Sequence, residues 1–103
     1  QSIAQKSLND LPSHVQDIYQ KYEKGGWKGN VAGQTQGTGA GGAYKNRNSA
    51  LPTIDSNGKT ITYKEFDVNN YNGINRDSER FVRGSDGSTY YTDDHYRTFT
   101  KIK

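Results

Sequence analysis

The sequence predicts an α+β fold in which an N-terminal helix packs on a single antiparallel β-sheet. Residues 11–24 place apolar side chains at helical spacing, and Gly25-Gly26 follows as a natural stop. From residue 60 onward, strand-like runs alternate with dipeptides typical of hairpin turns. Because the helix comes first and the strands follow one another, the order favours an α+β fold over a parallel α/β sheet.

The helix is predicted over residues 11–24. Its apolar face combines Leu11, Val15, Ile18, Tyr19 and Tyr22. Ser13 followed by Gln16 matches a capping box at its N-terminus. Residues 1–10 are predicted as a short preceding helix or a loose arm. Trp27 is expected to enter the core just after the helix, since its ring buries a large apolar area.

The sheet is predicted from strand-like runs at about 60–68, 79–84, 88–92 and 96–102, separated by the turn signals Asn57-Gly58, Asn72-Gly73 and Asp86-Gly87. Apolar residues change phase between Tyr63 and Phe66, which predicts a bulge or two half-buried faces there. The segment 29–43 is rich in Gly, Gln and Thr and is predicted as a loop.

Three glycines in that loop segment match a dinucleotide-binding pattern by spacing alone: Gly37, Gly39 and Gly42. The pattern requires a strand before it and a surrounding βαβ unit, and neither is predicted. A dinucleotide site is therefore excluded.

The composition predicts one domain with one modest core. That domain covers residues 1–103, with 1–43 as its helical and loop part and 44–103 as the β-sheet part that carries the active site. Hydrophobic residues make up 29% of the chain and its mean hydropathy is −1.11, yet eight Tyr, three Phe and one Trp supply ring area for a core. The chain has no Cys, which excludes disulfides and thiol chemistry.

Four side chains of the sheet region combine the groups that cleave RNA without a metal. RNA supplies its own nucleophile, the 2′-OH, so cleavage needs a base, an acid and cations around the phosphorane. Glu65 and His95 suit proton transfer, because carboxylates and imidazoles titrate from mildly acidic to neutral pH. Arg76 and Arg80 suit the phosphorane, because a guanidinium grips phosphate through two donors. Neighbouring strands can present these four side chains on one concave face.

Other chemistries find less support in the sequence. Two distant His, no Cys and no clustered carboxylate motif predict no metal site, and no cofactor is expected. A formal charge of +3 and a pI near 9.1 favour a polyanionic partner. Tyr and Arg on a sheet also suit a non-catalytic RNA-binding module, which has no need of Glu65 and His95.

Four segments in unbroken order resemble the barnase-type ribonucleases, the disulfide-free bacterial branch of the guanyl-preferring microbial ribonucleases. Residues 44–52 (YKNRNSALP) resemble their base-recognition loop, and residues 63–67 (YKEFD) the strand with the general base. Residues 76–80 (RDSER) resemble their paired phosphate-binding arginines, and residues 94–102 (DHYRTFTKI) the family's C-terminal segment. The resemblance thus covers the chain from residue 44 to its end.

This resemblance implies the barnase-like α+β fold and a division of roles. Glu65 is implied as the general base and His95 as the general acid. Arg76 and Arg80 are implied to stabilise the transition state, and the product is a 2′,3′-cyclic phosphate. The implied substrate-binding residues are Tyr44, Lys45, Asn46, Arg47, Asn48 and Tyr96.

Two positions depart from the family pattern. Where the family has a Glu that accepts hydrogen bonds from guanine, this chain has Asn48, so the backbone of residues 45–47 is expected to read guanine with a relaxed preference. The family's helix lysine near the phosphate has no counterpart in register around Ile18. Lys21 and Lys24 are the candidates to replace it.

The expected function is a metal-independent endoribonuclease that cleaves single-stranded RNA, secreted or delivered as a toxin. A toxin domain that cleaves one structured RNA such as tRNA is the alternative, beside the RNA-binding module. A start at Gln1 instead of Met favours a processed product, and neither a signal peptide nor a membrane span is present in the sequence. A monomer without a membrane partner is expected, together with an acidic, barstar-like protein inhibitor that covers the basic cleft.

Overall fold

The computed structural model describes residues 3–103; Gln1 and Ser2 lie outside the described residues. Within this range six strands form one sheet, in the order β1-β6-β5-β4-β3-β2. The strands are β1 (Ala4–Gln5), β2 (Ala40–Tyr44), β3 (Tyr63–Asp67), β4 (Arg80–Gly84), β5 (Thr89–Thr92) and β6 (Thr100–Lys101). All neighbours are antiparallel except β1 and β6, which run parallel. The predicted α+β fold is confirmed.

Helix α1 spans Ser13–Lys24 and begins two residues later than predicted. The predicted capping box is wrong, because Pro12 occupies the N-cap position and the Gln16 side chain instead donates to the carbonyl oxygen of Leu11 at 2.8 Å. The predicted stop is confirmed, since the chain turns at Gly26 with a φ of +77°. Among residues 3–103, no helix has the length and apolarity needed to cross a membrane.

Two parts of the sheet lie where no strand was predicted. Residues 4–5 form β1 beside β6, so this part is not the loose arm that was one alternative, and the short preceding helix that was the other is present as a 3₁₀ helix at Leu8–Asp10. Strand β2 begins at Ala40, inside the segment predicted as a loop. Glycine-rich β2 gives little strand signal in the sequence, because glycine is depleted in strands and it is pairing with β3 that holds β2 extended.

Strand β3 presents its two faces to two separate cores. Phe66 packs with Trp27 and the rings of α1 in the first core, and Trp27 is 6% exposed, as predicted for a core residue. Tyr63 packs on the opposite face, in the second core. The predicted pair of half-buried faces is confirmed. A bulge also occurs, but in the partner strand β2 at Gly41, whose φ is +95°.

Strand alternation brings the polar residues of β3 to the face opposite α1. Glu65 and Asp67 lie on this face together with Tyr63, because alternate residues of a strand point the same way. The register pairs Asp67 with Arg80 on β4, and Arg80 in turn with Thr92 on β5. The sheet therefore places the carboxylate of Asp67 directly opposite Arg80 of the predicted site.

Candidate active site

Asp67 holds both predicted arginines on the face opposite α1. Its side chain is 2% exposed, and its Oδ1 lies 2.9 Å from Nε of Arg80. Arg76 grips the same carboxylate with two donors, of which Nε lies 2.9 Å from Oδ2 and Nη2 contacts Oδ1. The backbone N–H of Gly39 also donates to Oδ2, at 2.7 Å. A buried carboxylate needs this set of partners, since an unpaired buried charge costs several kcal/mol.

Arg76 contacts both the buried Asp67 and the predicted general base, Glu65. Its Nη2 lies 3.2 Å from Oε1 of Glu65, whose side chain is 23% exposed. Hydrogen bonds and charge from Asp67, followed by those from Glu65, raise the pKa of the Arg76 guanidinium against the opposing effect of burial. The positively charged Arg76 therefore lies between the carboxylates of Glu65 and Asp67, and the buried Asp67 fixes its position.

His95 and Tyr96 lie in the turn between β5 and β6, where both adopt left-handed backbone, with φ of +57° and +73°. Such residues cost about 1–3 kcal/mol each and need surrounding structure to hold them. Asp94 provides it by accepting from the N–H groups of Arg97 and Thr98 at 3.1 and 2.9 Å. Although burial acts in the opposite direction, the hydrogen bonds from Thr98 and its neighbours lower the pKa of Asp94 to about 2.

The turn that carries His95 is attached to the segment between the two arginines. The backbone N–H of His95 donates to the carbonyl oxygen of Ser78 at 3.0 Å. In return, the hydroxyl of Ser78 donates to the carbonyl oxygen of Asp93 at 2.8 Å. Because Ser78 lies between Arg76 and Arg80 in the chain, these two bonds fix the predicted acid relative to the predicted phosphate-binding groups.

Tyr96 connects His95 to the predicted recognition loop. The centroid of its ring lies 4.8 Å from that of His95 and 4.8 Å from that of Tyr44. Its phenolic oxygen is buried and has no hydrogen-bond partner among the described residues. Burial, followed by the negative charge of Glu65, raises the pKa of the Tyr96 hydroxyl. The hydroxyl of Tyr96 is therefore a buried, neutral group beside Glu65 and the ring of His95.

A pocket of about 350 Å³ is lined by all six predicted substrate-binding residues: Tyr44, Lys45, Asn46, Arg47, Asn48 and Tyr96. The Asn46 side chain closes the loop by accepting from the N–H of Leu51 at 3.1 Å and donating to its carbonyl oxygen at 2.9 Å. The N–H groups of residues 45–47 donate to no atom of the described chain. Asn48 turns its Oδ1 to the N–H of Ala50, at 3.2 Å.

Lys21 and Lys24, the candidates to replace the family's helix lysine, lie away from the proposed catalytic residues. Lys21 lines another pocket, of about 270 Å³, together with His14 and Asn69. Lys24 is exposed in the last turn of α1. Nothing among the described contacts brings either lysine to Glu65 or His95. In the range 3–103, no three His, Asp or Glu side chains are grouped as metal ligands would be.

Sequence reasoning gave no role to three residues that organise the site: Asp67, Ser78 and Gly39. The signal for Asp67 was present, since it follows Glu65 by two residues and so shares its face of the strand. The contacts of Ser78 and Gly39 arise from loop packing, for which the sequence carries no periodic signal.

Comparisons with known proteins identify the family of this chain. The ribonuclease family model matches residues 1–103. The chain is 35% identical over 95 residues to guanyl-specific ribonuclease St of Saccharopolyspora erythraea, covering 92% of this chain and 83% of that protein. It is 40% identical over 82 residues to a ribonuclease of Bacillus intermedius, covering 76% of this chain and 48% of that protein, so it spans about half the length of this relative.

Solved structures show the same fold. Ribonuclease Sa2 with guanosine-2′-cyclophosphate matches with a TM-score of 0.70 and 28% identity, covering 99% of this chain and 97% of that one. A structure from a study of ribonuclease Sa2 complexes with mononucleotides matches with a TM-score of 0.72 and 30% identity, covering 100% and 96%. The resemblance to the guanyl-preferring microbial ribonucleases is confirmed. With its whole length matched by the family model, this chain belongs to the ribonuclease family.

Proposed function

We propose that this chain is an endoribonuclease that cleaves single-stranded RNA to a 2′,3′-cyclic phosphate without a metal ion. The observation that carries the proposal is the position of Arg76, which contacts Glu65 while the buried Asp67 holds it. A carboxylate able to take a proton thus lies beside a fixed cation able to receive a phosphate. This is the pair of groups that attack by a 2′-OH requires.

In the proposed first step, Glu65 takes the proton of the 2′-OH as its oxygen attacks phosphorus. His95 gives a proton to the 5′ oxygen that leaves, so one proton enters the protein and one departs. Arg76 and Arg80 stabilise the negative charge that builds on the non-bridging oxygens. In the second step water opens the cyclic phosphate, with His95 as base and Glu65 as acid.

The arginines are held in place before substrate binds. The Arg80 side chain is 3% exposed, and its Nη1 donates to the carbonyl oxygen of Glu79 at 2.8 Å in addition to its pairing with Asp67. Positive charges fixed in this way need no reorganisation when negative charge develops, which makes them effective in the transition state. By contrast, His95 is exposed to solvent in its turn.

We also infer a preference for guanine in the pocket between Tyr96 and the loop of residues 45–48. The unpaired N–H groups of residues 45–47 suit the O6 acceptor of guanine, and rings beside the pocket suit base stacking. One relative is named a guanyl-specific ribonuclease, and ribonuclease Sa2 was solved with a guanosine ligand. Both observations support guanine as the base that fits.

The proposal predicts that RNA cleavage persists in excess EDTA and that DNA of the same sequence is not cleaved. Arg76 and Arg80 supply the positive charge, and the 2′-OH absent from DNA supplies the nucleophile. The measurement is the rate on matched RNA and DNA oligonucleotides with end-group analysis of the product. Loss of activity with EDTA and its return with magnesium would contradict the metal-free mechanism.

Replacing Asn48 by Glu is expected to sharpen the preference for guanine. A carboxylate accepts from both the ring N–H and the exocyclic amine, whereas the Asn48 oxygen is engaged by Ala50. One charge-assisted hydrogen bond of about 1.5–3 kcal/mol predicts a rise of roughly tenfold or more in the kcat/KM ratio of GpU to ApU. Asn9→Glu adds the same charge in the exposed 3₁₀ turn and serves as the control. An unchanged ratio in Asn48→Glu would place this side chain away from the base.

We also propose that the enzyme is a secreted or delivered monomer and that an acidic protein inhibits it. The rim of the site carries the exposed cations Lys45, Arg47, Arg76 and Arg97, which suit RNA and also an acidic protein inhibitor. A secreted or delivered monomer that such an inhibitor restrains accords with a basic nuclease without cysteine. The measurement is competition between an acidic protein and RNA for this rim, read as inhibition of cleavage.

A further inference from the structure

Two of the three glycines whose spacing resembles a dinucleotide motif, Gly39 and Gly42, lie against proposed catalytic residues, whereas Gly37 lies against Tyr71. A Cβ atom built on Gly37 would lie 2.6 Å from the ring of Tyr71, and one on Gly39 would lie 2.8 Å from Nη2 of Arg76. A third, on Gly42, would approach the Glu65 side chain at 3.8 Å, an ordinary contact. Of the three, Gly39 is the one where a side chain would meet a guanidinium.

The need for glycine at position 39 is steric rather than conformational. Gly39 is not among the residues with positive φ, so its backbone suits any amino acid. Its N–H donates to Oδ2 of Asp67, and its carbonyl oxygen accepts from the N–H of Asp67, at 2.7 and 2.8 Å. These two bonds hold the Cα of Gly39 close to Asp67, the residue that binds the Arg76 guanidinium. The guanidinium occupies the volume that a side chain at 39 would fill.

We propose that Gly39 is a positioning residue, whose missing side chain leaves the space in which Arg76 contacts Asp67 and Glu65 together. The inference rests on the proposed role of Arg76. Because the added methyl group would lie closest to side-chain atoms of Arg76 and Asp67 and not to backbone atoms, it displaces the guanidinium without forcing the backbone apart. A change at Gly39 therefore acts on catalysis through Arg76 and not on the fold.

The first test is Gly39→Ala. A guanidinium displaced by about 1 Å from the phosphorane is expected to lower kcat for GpU roughly 10²-fold with a smaller change in KM, since Arg76 acts on the transition state. Gly29→Ala is the matched control, because its Cβ would meet no atom of residues 3–103 within 4 Å and its φ is ordinary. The melting temperature of Gly39→Ala is expected to stay near that of the parent protein. Unchanged kcat in Gly39→Ala, with Arg76→Ala impaired, overturns the inference and leaves the proposed function standing.

A double-mutant cycle with Arg76→Ala separates positioning from a general structural effect. If Gly39 acts through Arg76, adding Gly39→Ala to Arg76→Ala lowers kcat no further. An equal loss in both backgrounds overturns the inference. Should Gly39→Ala alone lower the melting temperature by displacing Arg76, the double variant is expected to melt at the same temperature as Arg76→Ala, and a further loss in the double variant overturns the inference as well. Full activity in Arg76→Ala removes the basis of both the inference and the proposed role of Arg76.

Discussion

Replacing Glu65 by Gln, or His95 by Asn, is expected to lower kcat for RNA cleavage by about 10²–10⁴-fold, the usual contribution of a general base or acid. Gln keeps the shape of Glu65 and can still accept from Arg76, but it cannot take up the 2′-OH proton. Asn suits position 95 because it tolerates the left-handed backbone seen there, with φ of +57°. The measurement is kcat on a dinucleotide substrate, alongside the melting temperature of each variant.

The chain offers a matched control for this experiment in its second histidine. His14 lies on α1, 2.9 Å from Oε1 of Glu79, and touches none of the proposed catalytic groups. His14→Gln is expected to leave kcat near that of the parent protein. The pH profile adds a separate test, because loss of the base removes the fall in rate at low pH and loss of the acid removes the fall at high pH. Near-normal turnover in Glu65→Gln or His95→Asn would refute that assignment.

Replacing Asp67 by Asn is expected to destabilise the fold by about 3–5 kcal/mol, the cost of removing one partner from a buried ion pair. Arg80, 3% exposed in its side chain, loses the carboxylate that compensates its charge, and Arg76 loses its bidentate support. We therefore expect lower kcat as well, because both arginines lose their fixed positions. Urea unfolding gives the stability, and kcat under conditions where the variant is folded gives the catalytic effect.

Asp77→Asn is the control for Asp67→Asn. Asp77 also pairs with Arg80, whose Nη1 lies 3.3 Å from Oδ1 of Asp77, but the Asp77 side chain is 46% exposed. Solvent screens such a pair, so its removal is expected to change stability by about 1 kcal/mol or less. Equal destabilisation by the two substitutions would show that burial of Asp67 is not the source of its effect.

Local patterns in the sequence were sufficient to predict much of the fold. Helical spacing predicted α1, and turn dipeptides such as Asn57-Gly58 located the gaps between strands, because each depends on neighbouring residues alone. Strand β2 was missed since its glycines have little intrinsic preference for a strand and pair only because β3 lies beside them. The capping box at Ser13 was wrong because Pro12 already sets the backbone at the helix start.

The site was predictable in its residue types and less so in its connections. Motif resemblance predicted roles for Glu65, Arg76 and His95, and the structure shows a direct contact between Glu65 and Arg76. The role of Asp67 was missed, because its pairing with Arg76 depends on how the intervening loop folds back on the sheet. The link from His95 to Ser78 joins backbone atoms, which the identity of the residues does not reveal.

The cluster of Glu65, Asp67, Arg76 and Arg80 has no net charge in its resting state, because two carboxylates oppose two guanidiniums. Under the proposed mechanism, uptake of the 2′-OH proton by Glu65 neutralises one carboxylate and leaves the cluster with one net positive charge. That charge arises in the same step in which the phosphate gains a second negative charge. The four-residue cluster thus need not hold an excess of positive charge between turnovers and gains its attraction for the phosphorane as the phosphorane forms.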